Sequence, residues 1–352
     1  MNSTYFYHDK PIFGLDIGFN TIKIMQIDNT DNKRKVEGYG VVTFDESAIK
    51  DGVIIEPEKI AKSAYELFDK TVVGEINTRR VVVSIPVART FNRLVTLPKL
   101  SSKELIEAIK LEAEQYIPIP IDQLYIDYHI IGQKDKELEL LAVAVPKKIV
   151  DSYLDLMNIL DIEPMAMETT ISAIGRLFVN AEEDDVPTVL IDFGSVSADI
   201  TVYDKGIVVT GTAPGGGDIF TDLISSELKV TKQEAHVIKT KYGLGLSKKQ
   251  NEINKALSSV LEQLIKEVRR VIRYYEERSN KNNKIGQLIT MGGGANMPGL
   301  SEYLTSNLRM PVRMIDPWQN MDFGGLQPPN SIDKSMYVTV AGLALSDSKE
   351  IF

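Results

Sequence analysis

Short runs of clustered or alternating apolar residues are followed along this chain by stretches with an apolar residue every three or four positions. That is the signature of strands feeding helices. The pattern predicts strands at residues 12–17, 21–28 and 34–44. A helix opened by Pro57 follows, with Ile60, Ala64, Leu67 and Phe68 on one side, and then a strand at 79–85. From about residue 86 to 163 the texture changes to strand, helix, strand, strand, helix. The first of these helices is headed by Ser101-Ser102-Lys103-Glu104, a capping box, and ends before Pro118. The second aligns Val150, Tyr153, Leu154, Met157 and Leu160. A further helix begins at Glu168-Thr169-Thr170, and an acidic loop at 182–187 leads to strands near 188–192, 198–204 and 207–213. Three helices come next: one through Ile219, Leu223 and Ile224, one capped by Thr231-Lys232-Gln233-Glu234, and a long one headed by Ser247. The long helix carries Ile253, Leu257, Val260, Leu264, Val268 and Val271 as one apolar stripe, which reads as core. A strand at 285–291 and a helix at 336–345 close the pattern, while residues 1–10 read as an unstructured leader or a docking strand.

One motif occurs twice. Asp16-Ile17-Gly18-Phe19-Asn20-Thr21 and Asp192-Phe193-Gly194-Ser195-Val196-Ser197 both follow an apolar strand and precede another. In each, the Asp sits where a buried strand surfaces and the Gly permits a sharp turn. Exposed N–H groups of such a turn can face an anion while the carboxylate holds a hydrated cation. The repetition suggests two loops closing on one metal–phosphate group. Gly215-Gly216-Gly217-Asp218 opens a helix, where exposed N–H groups and the helix dipole favour phosphate, and a linker or simple cap is the plain alternative. Gly292-Gly293-Gly294-Ala295 follows a strand and offers a flat shelf for a base or ribose, or a tight strand-to-helix turn.

Composition narrows the field. A chain of 352 residues predicts two domains, and 43% hydrophobic with 25% charged residues is a soluble globular balance. The net charge of −9 argues against nucleic acid or anionic lipid as the main partner. There is no cysteine, which excludes disulfides and thiolate metal sites and fits a reducing cytoplasm. No apolar run has the length of a membrane span, no signal sequence is apparent, and the C-terminus lacks a basic amphipathic helix for direct membrane insertion. A P-loop and a dinucleotide Gly-x-Gly-x-x-Gly are both missing. His8, His129 and His236 are scattered, so metalloprotease and Ser-His-Asp readings find no support. The 86–163 segment clusters no catalytic residue types, which favours a partner-binding or structural insert.

These motifs, in this order, resemble the actin-like ATPase superfamily over nearly the whole chain. The 86–163 insert, with Val83-Ser84-Ile85-Pro86 and Ala142-Val143-Ala144-Val145-Pro146-Lys147, resembles the FtsA and PilM branch and most closely the PilM family of type IV pilus assembly proteins. The resemblance implies an α/β, ribonuclease H-like duplicated two-lobe fold with an inserted βαββα subdomain. Residues 1–85 and 164–186, with part of a C-terminal helix at 335–346, would form the first lobe. Residues 187–334 would form the second, with a helical subdomain at about 231–280.

The implied cofactors are ATP and Mg²⁺. Asp16 and Asp192 would be the metal-side aspartates, acting largely through water. Gly18, Phe19, Asn20 and Thr21 would form the first phosphate loop with Lys23 as a phosphate contact, although Lys23 also suits an ordinary exposed strand lysine. Gly194, Ser195, Val196 and Ser197 would form the second loop. Gly216, Gly217 and Asp218 would approach phosphate and ribose, Lys239 the adenosine, and Gly292, Gly293, Gly294 and Ala295 the base. Glu168 would activate water, or be a plain helix-start acid. The resemblance implies at most a weak ATPase that works as a cytoplasmic scaffold peripheral to the inner membrane. Its partners would be the cytoplasmic N-terminal segment of a PilN-like inner-membrane protein, bound around Arg89, Phe91, Arg93 and Leu94, pilus motor or platform components, and further copies in a homo-oligomeric ring. An FtsA-like polymerising division protein and a small-molecule kinase of the same superfold are the alternatives, the second lacking a clear catalytic Asp.

Overall fold

The computed structural model describes residues 10–29, 34–181, 186–278 and 284–346. The expectations for residues 1–9, for the acidic stretch 182–185 and for the tail from 347 lie outside the described residues. The chain divides into two compact units. The first holds residues up to Ala173, Phe323–Leu326 and those from Val340; the second holds Ile174–Asp322 and Gln327–Thr339.

In the first unit β1 (Phe13–Ile17), β2 (Thr21–Asp28) and β3 (Arg34–Thr43) form an antiparallel meander. The short strands β4 (Ile49–Lys50) and β5 (Val53–Ile54) pair before α1 (Pro57–Glu66). After β6 (Val73–Gly74), which pairs with β3, comes β7 (Arg80–Ile85), parallel to β1. Then follow β8 (Phe91–Pro98), α2 (Ser102–Glu114), β9 (Leu124–Lys134), β10 (Glu137–Pro146) and α3 (Lys147–Ile159). The next strand, β11 (Glu163–Thr169), pairs in parallel with β7, so the main sheet runs β11–β7–β1–β2–β3. Every residue of β1 and β7 is buried, as central strands with both faces covered require. Ile60 and Ala64 of α1 and Ile149, Tyr153, Leu156 and Met157 of α3 pack against Phe13, Leu15, Ile17, Val81 and Val83. The layer of β8, β10 and β9 is a separate antiparallel sheet. Leu105 and Ile109 of α2 cover Val95, Leu138, Leu140 and Ala142 on one face of it. The Ser101–Glu104 capping box at the head of α2 forms as expected.

After α4 (Thr170–Ala181), the second unit repeats the plan. β12 (Thr188–Phe193), β13 (Ser197–Tyr203) and β14 (Ile207–Pro214) form an antiparallel meander. The helices α5 (Gly217–Leu228), α6 (Lys232–Lys241) and α7 (Gln250–Arg278) follow. Next come β15 (Gln287–Met291), α8 (Leu300–Leu308), β16 (Val312–Met314) and, closing the described chain, α9 (Val338–Ala344). The sheet order is β14–β13–β12–β15–β16, with β15 parallel to β12 and β16 parallel to β15. Each unit therefore extends the first strand of a meander with two parallel neighbours. The apolar stripe of α7 is buried together with Val189, Ile191, Phe193, Ile200, Phe220 and Ile224. Among the described residues no helix is long and apolar enough to cross a membrane.

Candidate functional site

In the first unit Asp16 stands opposite Lys23 in the β1–β2 register. Lys23 Nζ donates to Asp16 Oδ2 at 2.9 Å, and the two residues are 8% and 7% exposed. Ser84 Oγ donates to Asp16 Oδ1 at 2.7 Å from β7. Glu168 pairs with Ser84 in the β7–β11 register. Lys23, Asp16, Ser84 and Glu168 thus form one polar row across four adjacent strands. Lys23 is buried and ion-paired, which rules out the exposed strand lysine. Glu168 lies at the end of β11 and not at a helix start, because Thr169 Oγ1 accepts the Ser172 N–H at 3.3 Å and heads α4. Glu168 Oε1 accepts a hydrogen bond from Ser346 Oγ at 3.1 Å. Tyr153 is fully buried below this row, and burial, with the Asp16 charge adding to it, holds its hydroxyl above the usual phenol range.

The two Asp-x-Gly turns close identically. Gly18 N–H donates to Thr21 O at 2.8 Å and Gly194 N–H to Ser197 O at 3.0 Å. Those two glycine N–H groups are consumed inside the turns, so they do not face an anion as the motif suggested.

In the second unit Asp192 stands opposite Asp199, seven residues on, where the first unit has Lys23 opposite Asp16. Thr212 Oγ1 donates to Asp199 Oδ1 at 2.8 Å from β14. Burial pushes the Asp199 carboxyl up to about 6, against the opposing pull of Thr212. Sequence reasoning missed Ser84, Asp199 and Thr212; the equal spacing from each motif Asp was the available signal for Asp199.

Two glycine segments meet beside this turn. A Cβ on Gly216 would stand 2.5 Å from Gly194 O and 2.6 Å from Ser195 O. On Gly292, at φ +82, it would stand 2.3 Å from Asp192 Oδ1, and on Gly294 3.0 Å from Phe193 Cβ and 3.2 Å from Gly217 N. Only backbone without side chains packs this closely. Gly293 has nothing within 4 Å of its would-be Cβ and is the open part of the shelf. The start of α5 departs from expectation. Gly217 N–H donates to Gly194 O and Asp218 N–H to Ser195 O, each at 2.8 Å, so these helix N–H groups anchor the turn and do not reach outward. Lys239, 7% exposed, donates from Nζ to Gly217 O at 2.6 Å. Burial lowers its pKa, with Asp218 opposing, and burial followed by Lys239 lowers that of His236. The structure therefore brings Asp192, the second turn, 216–218, Lys239 and 292–295 together.

Metal chemistry can be tested on these donors. Asp16 has one oxygen on an ammonium and the other on a hydroxyl, which suits contact through water rather than direct ligation. Asp192 is half-buried, with Oδ1 against the bare Gly292 backbone. Among the described residues no three His, Cys, Asp or Glu side chains form a metal cage. Each aspartate, taken within its own unit, is an oxygen donor of the kind that meets Mg²⁺ through retained water.

The four partner-surface candidates do not share a face. Phe91 and Arg93 pair with Ala144 and Ala142 on the α2 side, where Arg93 stacks 4.3 Å from the Tyr116 ring. Leu94 pairs with Leu141 on the opposite side, because strand neighbours alternate. Arg89 precedes β8 and lies 3.3 Å from Asp51.

A family profile described as type IV pilus assembly protein PilM matches residues 14–348. Cell division protein FtsA of Neisseria meningitidis serogroup B is 25% identical over 174 residues, 44% of this chain and 41% of FtsA. FtsA of Buchnera aphidicola is 26% identical over 197 residues, 49% of this chain and 46% of its own length. The chain thus spans less than half the length of these curated relatives. Among solved structures, a PilM–PilN type IV pilus biogenesis complex matches with a TM-score of 0.82 at 21% identity, covering 95% of this chain and 97% of that one. The ethanolamine utilization protein EutJ of Carboxydothermus hydrogenoformans matches at 0.57 and 15% identity, covering 96% and 89%. MreB5 of Spiroplasma citri bound to AMPPNP matches at 0.52 and 14%, covering 95% of both. These likenesses show an actin-like fold.

Proposed function

The chain belongs to the PilM family of type IV pilus assembly proteins, and from that premise we propose that it is an ATP-binding scaffold of the pilus machinery. It binds the cytoplasmic N-terminal segment of a PilN-like inner-membrane protein, stands at the inner face of the membrane through that partner, and couples it to the motor. The observation that carries the nucleotide half of this reading is the meeting of the second Asp-x-Gly turn with glycines 216, 292 and 294, where a Cβ would collide at the first two and be crowded at the third. Such bare backbone is what close approach to a phosphate and a ribose requires. The N–H groups of Ser195 and Val196 serve the phosphates, and Gly293 and Ala295 the base. Asp192 holds hydrated Mg²⁺. Lys239 supports Gly217 from within, its Nζ bound to the Gly217 carbonyl. In the first unit Phe19 offers its N–H, and Lys23 compensates Asp16 while remaining within reach of the Gly18 turn, 3.7 Å from that glycine's would-be Cβ. When bound, Mg²⁺ neutralises phosphate charge. Within the first unit Glu168 ends the polar row and accepts a hydrogen bond from Ser346 Oγ, the position from which it would orient a water.

The partner half of the reading is supported by the PilM–PilN complex that shares this fold. The test of the site is calorimetric. Asp192→Ala is expected to abolish Mg–ATP binding with an unchanged circular dichroism spectrum, and unaltered affinity would refute the assignment.

A further inference from the structure

The second unit carries an exposed leucine on a fixed loop. Leu246 is 96% exposed, the highest value among the large apolar side chains described. Its loop is pinned. Leu244 N–H donates to Pro298 O at 2.7 Å, Gly245 N–H to Tyr242 O at 2.9 Å, and Gln250 Nε2 to Leu244 O at 3.1 Å. Val237, 57% exposed, stands nearby in sequence on α6. Lys241, Lys248 and Lys249 flank the loop on exposed positions, and residues 239–249 include no acidic side chain.

The insert carries a feature of opposite form and sign. A groove of about 580 Å³ is lined by Glu114, Ile117, Pro118, Ile119, Pro120, Ile121 and Asp122. Leu111, on α2 one turn before Glu114, is 64% exposed. Residues 111–133 contain Glu112, Glu114, Asp122 and Asp127 and no lysine or arginine. The neighbouring positive groups are engaged, Arg93 on the Tyr116 ring and Lys110 on Glu107.

We propose that the 241–249 loop of one copy of this chain docks in the 111–122 groove of a second copy, Leu246 entering the apolar floor and the lysines meeting Glu114 and Asp122. A chain of net charge −9 repels its own copies overall, and a local basic patch that meets acidic surface offsets that repulsion. The loop supplies one, and its rigidity lowers the entropy cost of docking. The two surfaces differ, so the contact is heterologous and propagates head to tail, closing into a ring or extending as a filament. The interface does not depend on the nucleotide site.

Sedimentation velocity of the full-length chain, at rising concentration and at low and high salt, tests the proposal. The wild type is expected to form species larger than a monomer that dissociate as salt rises. Leu246→Asp and Ile119→Asp are each expected to weaken association by about tenfold or more. An equimolar mixture of the two variants keeps one intact surface on each and is expected to stop at a dimer. Lys248→Glu with Lys249→Glu is expected to lose association, and Glu114→Lys with Asp122→Lys in the second copy to restore it. Both surfaces are exposed, and thermal melts of each variant check that the fold is kept. A strictly monomeric wild type, or variants that assemble like it, would overturn the interface. Mg–ATP titration of the same variants is expected to be unchanged, which separates this outcome from failure of the nucleotide reading.

Discussion

Lys23 and Asp199 occupy the same position in two copies of one hairpin and carry opposite charge. In the first unit the lysine neutralises a buried aspartate, a contact that lasts only while both partners are present. Lys23→Met is expected to cost about 3 kcal/mol in urea unfolding, because it strands the Asp16 charge with only Ser84 for support. Adding Asp16→Asn should recover most of that loss, and a single variant as stable as wild type would show the pair to be superfluous. In the second unit the carboxyl of Asp199 titrates at about 6, raised by burial from an ordinary value of 3.8. A raised carboxyl pKa means that the folded state holds the proton more tightly than the unfolded chain. The stabilisation is therefore full below about pH 4 and is lost as pH rises through about 6, some 2–3 kcal/mol in all. Thermal melts in Mg²⁺-free buffer should show this fall, and Asp199→Asn should flatten it; an Asn variant with the wild-type slope would assign the titration elsewhere.

Glycine placement matters at the scale of elements. The second turn, the start of α5 and the segment after β15 approach closely, and hydrogen bonds from Gly217 and Asp218 lock α5 to the turn. Gly216→Ala would drive a Cβ into two carbonyls of the turn, at 2.5 and 2.6 Å. Overpacking of this kind is expected to cost roughly 1–3 kcal/mol and to weaken Mg–ATP binding together with stability. Gly206→Ala is the control, since nothing lies within 4 Å of its would-be Cβ. Melting and nucleotide titration of the two variants side by side check the claim. The capping boxes at Ser101 and Thr231 behaved as local devices do, forming where the sequence put them. Glu168 did not. A strand that pairs with β7 claims Glu168 and Thr169, and the helix waits until Thr170.

Across the whole molecule, duplication explains how one motif came to be legible twice. Each unit builds the same sheet order around its motif strand, so the Asp always ends a central strand and the Gly always opens the same turn. Net charge is a property of the whole chain and hid the local pattern. A negative total argued against nucleic acid or anionic lipid as the main partner, while the lysines around Leu246 and the acidic residues of the insert groove show that sign is organised by region. Helix α3 makes the same point about cores. Its periodicity announced a buried face but not which core receives it, and it packs with α1 on the main sheet rather than on the three-stranded layer beside it in sequence.

What the sequence by itself determined was local and periodic: strand and helix order, caps, the α7 stripe and the two Asp-x-Gly turns. Each depends on contacts within a few residues or on a repeat that survives in one dimension. The tertiary structure alone decided the partners. Ser84 reaches Asp16 from 68 residues away, Lys239 reaches Gly217 from 22, and Ser346 reaches Glu168 from 178. It also decided that Phe91 and Arg93 part company with Leu94. Hydrogen bonds and faces of this kind are set by which strands become neighbours, a choice made by long-range burial that no short stretch of sequence records.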